Sequence, residues 1–75
     1  MTMRKGDAIE IEHDHRKVQG EIVMISENQV SLMIKFDAMI GGHAGMMPAT
    51  RHDKERHIYR SIIDGTEVMI RERQR

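Results

Sequence analysis

Apolar and polar residues alternate with a period of two through much of this chain, the pattern of strands with one dry and one wet face. Ala8-Ile9-Glu10-Ile11-Glu12 opens the pattern directly after Lys5-Gly6-Asp7. His13-Asp14-His15-Arg16-Lys17 reads as a polar loop, and Gly20 precedes Glu21-Ile22-Val23-Met24-Ile25-Ser26, a run that is apolar on both faces. Glu27-Asn28-Gln29 predicts a turn in which Asn28 takes the left-handed conformation. Val30, Leu32, Ile34 and Phe36 alternate along the strand that follows, which completes a hairpin. After a charged stretch from Thr50 to His57, Ile58 to Ile63 predicts a strand, Asp64-Gly65 a turn, and Thr66 to Glu72 a last strand with Val68 and Ile70 on one face. Asp53 as a cap and the helical spacing of Ile58 and Ile62 leave a helix over 53–63 as the alternative, but the β-branched isoleucines favour the strand.

These elements predict a mostly β protein: one domain over residues 1–75, with five to six antiparallel strands curled into a small barrel or roll to protect their edges. The expected interior is Ile9, Ile11, Ile22, Met24, Val30, Leu32, Ile34, Phe36, Val68 and Ile70. A chain of 75 residues buries only about 60% of its unfolded surface. Without cysteine it has neither a disulfide nor a thiolate metal cluster to add stability, which points to self-association.

Residues 37–49 break the alternation. Asp-Ala-Met-Ile-Gly-Gly-His-Ala-Gly-Met-Met-Pro-Ala holds three of the six glycines, three of the eight methionines and the only proline. Glycine permits positive φ and close approach, while methionine supplies adaptable apolar contact. The segment therefore reads as a contact loop, with Met39, Gly41, Gly42, His43, Gly45, Met46 and Met47 as candidate partner-binding residues. Its GxxG spacing at Gly42-His43-Ala44-Gly45 matches the loop by which KH domains clamp a nucleic-acid backbone, but no helix flanks it.

Charge narrows the partners. Twelve basic and twelve acidic residues cancel, so the molecule lacks the positive field that drives non-specific nucleic-acid binding. Residues 1–37 carry a net −2 and residues 38–75 a net +2, an asymmetry that suits contact between copies. Basic residues recur at Arg51, Lys54, Arg56 and Arg60 and at Arg71, Arg73 and Arg75, interrupted by acids and with Tyr59 as their only aromatic neighbour. Single-stranded nucleic-acid platforms need stacking aromatics as well as bases. No apolar run reaches the length of a secretory or membrane-spanning segment, so the expectation is a cytoplasmic protein with no membrane partner.

Lys5-Gly6-Asp7, the alternating strand, the polar loop, Gly20-Glu21-Ile22-Val23 and the hairpin together resemble the opening of SH3-like small β-barrels, including KOW-type modules, over residues 5–36. The resemblance implies an adaptor, RNA-binding or oligomerisation unit. Proline-rich peptide binding is not implied, because its aromatic groove cannot be built from one Phe, one Tyr and no Trp. Met24-Ile25-Ser26-Glu27-Asn28-Gln29 is similar to the (D/N)xSxxG motif of PilZ domains, which bind a cyclic dinucleotide. Met24 and Gln29 depart from that motif, and the RxxxR pair is missing.

The remaining constellations are sparse. On an extended strand His13 and His15 would share a face and could contribute to a metal site, yet a site needs three or four ligands and no third is evident. No cysteine nucleophile, nucleophile-elbow serine or acidic pair suggests catalysis, and no cofactor is expected. The reading is a non-catalytic, self-associating small-barrel module. It binds a protein partner through 37–49 and forms a homodimer through Val23, Ile25, Met33 and Met69, the apolar residues left over once the interior is assigned. A KOW-like nucleic-acid module using the basic C-terminal half is the alternative, and a histidine metal site the third.

Overall fold

A computed structural model describes residues 3–73. Six antiparallel strands, β1 (Ala8–His13), β2 (Arg16–Ile25), β3 (Ser31–Ile40), β4 (His43–Asp53), β5 (Ile58–Ser61) and β6 (Glu67–Glu72), follow one another round a closed barrel. β6 pairs with β1, Ile70 opposite Ile11, so neither chain end leaves an open sheet edge. Residues 53–63 contain no helix.

The interior is built by alternation. Ile9, Ile11, Ile22, Leu32, Ile34, Phe36, Val68 and Ile70 are buried as their spacing predicts, joined by Ile40, Met47, Ala49 and Tyr59. Met24 is not among them. Val23 is an extra residue between the Ile22–Ile34 and Met24–Met33 pairs, and this bulge turns Met24 to the outside, 64% exposed, and Ile25 onto the core. Val30 is half-buried.

Turn geometry corrects three local expectations. The polar loop at 13–17 is a tight hairpin in which Asp14 and His15 both have positive φ (51° and 66°), the twist that a two-residue β-turn requires. His13 and His15 therefore do not share a strand. At the next turn Gln29 (φ 61°), not Asn28, is left-handed. The Asn28 carboxamide oxygen instead accepts from the Ser26 hydroxyl (2.6 Å) and the Val30 amide (3.1 Å). At the last turn β5 stops at Ser61, so Ile62 and Ile63 are exposed turn residues and not strand.

The largest correction concerns residues 37–49, which form a hairpin and not a loop. β3 runs to Ile40, Gly41 and Gly42 turn the chain, and β4 returns with His43, Met47 and Ala49 inward and Ala44, Met46 and Pro48 outward. Pro48 is tolerated within a paired strand for a geometric reason. A strand residue directs its N–H and C=O to the same neighbour, and the Pro48 carbonyl accepts from the Ile62 amide (3.0 Å), where β5 has already left the ladder. The missing donor therefore costs little pairing.

Candidate contact surface

The barrel's closure leaves only outer side chains, strand irregularities and turns to carry function. On the outer side of β2, β3 and β4 the cross-strand pairs Met24–Met33 and Met33–Pro48 place three apolar residues side by side. The hydrogen bond from the Ile62 amide to the Pro48 carbonyl extends the row to the turn after β5. Met24 and Ile62 are 64% and 61% exposed, and Met46, two residues before Pro48 on the same face, is 48% exposed. Met39 continues the face toward the Gly41-Gly42 turn. Ion pairs of both signs flank it: Lys35–Glu21 at 3.7 Å and Arg60–Glu67 at 3.3 Å.

Of the candidate partner-binding residues, Met39, Gly41, Gly42 and Met46 are exposed, whereas Met47 is fully buried and His43 is 8% exposed. Met47 and His43 are corrected to interior residues, because the β4 pleat sends alternate side chains inward. Of the four self-association candidates, Val23 forms the bulge, Met33 sits within the apolar row, and Ile25 packs on the core. Met69 lies apart on β6, paired with Glu12 and Ile58. Sequence reasoning missed Met24, Pro48 and Ile62, and only the bulge at Val23 and the early end of β5 would have revealed them.

At one end of the barrel the β3–β4 and β5–β6 turns are tied together. His43 Nε2 lies 3.1 Å from Asp64 Oδ1, which also accepts from the Thr66 hydroxyl (2.7 Å) and amide (3.0 Å). These bonds, Thr66's first and then His43's, hold the Asp64 carboxyl well below its ordinary 3.8. Gly41, at φ +57°, is required here twice over, since a Cβ would also stand 2.9 Å from Thr66 Oγ1. Ser61 completes the turn by accepting from the Ile63 and Asp64 amides. The bonds join Asp64, in the β5–β6 turn, to His43, the first residue of β4, so the arrangement clips the two turns together.

At the opposite end Met3 packs against the core beneath Tyr59, whose hydroxyl donates to Met3 Sδ (3.9 Å). Burial pushes the Tyr59 hydroxyl above its ordinary 10.0, opposed by the neighbouring Arg51. The basic positions are dispersed: Arg51 faces Tyr59, Lys54 and Arg56 lie in a turn, Arg60 pairs with Glu67, and Arg71 lies opposite Glu10. Arg75 lies outside the described residues. Among the described residues no group of three or more His, Asp or Glu side chains could hold a metal, and no helix is long and apolar enough to cross a membrane. Comparison with protein-family models, with curated proteins and with solved structures gives no match.

Proposed function

We propose that the protein is a non-catalytic small-barrel module that associates with its own copies through the methionine face. The observation that carries this reading is the unbroken row Met24, Met33, Pro48 and Ile62, with Met46 beside it. Contiguous exposed apolar surface of this kind marks interfaces. A second copy fits it because an isologous contact must meet itself: the flanks pair Lys35 with Glu21 and Arg60 with Glu67, and the chain carries no formal net charge. A standard interface takes about 800 Å² from each partner. The described surface totals 5218 Å², so such a contact needs about 15% of it, which one outer face can supply.

Sedimentation of wild type and of Met24→Glu at several concentrations tests the proposal. Wild type should shift toward dimer as concentration rises, while Met24→Glu stays monomeric with an unchanged circular dichroism spectrum. A wild type that remains monomeric at millimolar concentration rejects it.

A further inference from the structure

The methionine face does not account for a second irregularity, where the β2–β3 ladder stops halfway. Pairing runs from Ile25–Leu32 to Gly20–Phe36 and ends there, although β2 continues back to Arg16 and β3 onward to Ile40. Residues 16–19 are then paired with β1 alone. On the other bank β3 regains β4 only at Met39, so Asp37 and Ala38 have no register partner on either side. A groove of about 390 Å³ opens where the ladder gives out, lined by its last paired residues, Gly20, Glu21, Lys35 and Phe36, by the first residues beyond them, Gln19 and Asp37, and by Gly45.

We infer that this seam is a strand-addition site for an extended segment of a partner polypeptide. Three features specify the occupant. The banks offer strand backbone without a ladder neighbour, and backbone amides and carbonyls are strong groups that call for partners. The inward residues beside the break, Val18 and Ala38, are small, apolar and only partly buried against the core, so the incoming strand's inward positions are apolar. Two of its outward positions lie between Gln19 and Asp37 and between Lys17 and Met39, which favours a basic residue at the first and an acidic residue two positions along at the second. Since β2 and β3 are antiparallel, the added strand runs antiparallel to one and parallel to the other, a mixed arrangement that sheets accommodate.

Glycine fixes the root of the seam, where the two strands come closest. A Cβ on Gly20 would stand 2.6 Å from the Lys35 carbonyl oxygen and 2.8 Å from Ile11 Cδ1, so β2 crosses β3 there more closely than any side chain allows. Gly45, at φ +79°, faces the stretch Phe36 to Ala38 alone.

The probe is a synthetic nonapeptide alternating valine with threonine, glutamate and lysine, titrated into isotope-labelled protein while amide resonances are followed. Shifts confined to residues 16–20 and 36–39 are expected. A peptide N-methylated at alternate residues should bind at least tenfold more weakly, because it keeps the side chains and loses the ladder. Gln19→Cys with Asp37→Cys extends the existing register by one pair, and its disulfide should abolish binding that reduction restores. Met24→Glu should bind the peptide as wild type does, which separates this site from the methionine face. Equal affinity for the methylated peptide, shifts centred on Met24 and Met46, the same shifts with an oligonucleotide, or no binding at 1 mM peptide would each overturn the inference.

Discussion

Two outer faces of the same barrel share one interior and differ in almost everything else. Across β1, β6 and the first half of β2 the outward positions are mostly charged, Glu10, Glu12, Lys17, Glu67 and Arg71 with Gln19 and Met69 among them, and Lys17 reaches Glu10 at 4.0 Å. Across the rest of β2 and through β3 and β4 the outward positions gather Met24, Met33, Met46 and Pro48 into one apolar row, with Glu21, Lys35 and Asp37 along its edge. The core asks the same of both regions, an apolar residue at every second position, so the contrast is not imposed by folding. An outer position costs little stability whatever occupies it. On the proposed reading the apolar run serves contact between copies, while the charged run faces solvent.

The comparison breaks most severely through the shared interior. Phe36→Ala should cost about 3–5 kcal/mol, a large part of a small domain's stability, as read by denaturant unfolding. A variant that unfolds at the wild-type midpoint would make Phe36 peripheral. Next in size is Gly20→Ala, which forces the Lys35 carbonyl away and should cost about 1–3 kcal/mol, comparable to overpacking a core. Its amide shifts should spread along both β2 and β3.

A smaller effect comes from the clip between turns, and its sign follows from the carboxylate. Asp64 is held below its ordinary value in the folded protein, so its contribution is complete above the unfolded value near 4 and is lost as pH falls through the lower folded value. Wild type should therefore exceed Asp64→Asn in stability at neutral pH by a margin that shrinks on acidification below about pH 4. A margin that is constant with pH would show that the charge is irrelevant. The smallest effect belongs to the charged face: Arg71→Ser should change stability by no more than about 0.5 kcal/mol and leave sedimentation unchanged, in contrast to Met24→Glu.

The mostly β barrel and eight of the twelve buried apolar residues were legible in the sequence because burial enforces a period of two. Legibility failed where one residue changes the phase. The bulge at Val23 moves Met24 out and Ile25 in, and nothing in Ile22-Val23-Met24-Ile25 marks it, since every residue there is apolar. Residues 37–49 misled for the opposite reason. Glycine, methionine and proline are poor strand formers by composition, and the pairing of Met47 with Ile34 and of Ala49 with Leu32 overrides that preference. The apolar row was invisible because its members lie on four separate elements and meet only through register.

The closing pair, β1 with β6, has a consequence for how the chain finds this structure. Every other pairing joins sequence neighbours across a short turn, while Ile11 and Ile70 must meet across nearly the whole chain. Closing a loop of that length costs about 2 kcal/mol more entropy than closing a hairpin. The meander from β2 to β5 can therefore assemble locally, and the two terminal strands zip together late. Because β1 begins beside the end of β6, with the Arg73 amide donating to the Ala8 carbonyl at 3.0 Å, a linker could join the two terminal strands and new ends could be cut at Gly41-Gly42. Such a circular permutant would make the β1–β6 contact local and the β3–β4 contact distant, inverting the order in which the barrel closes.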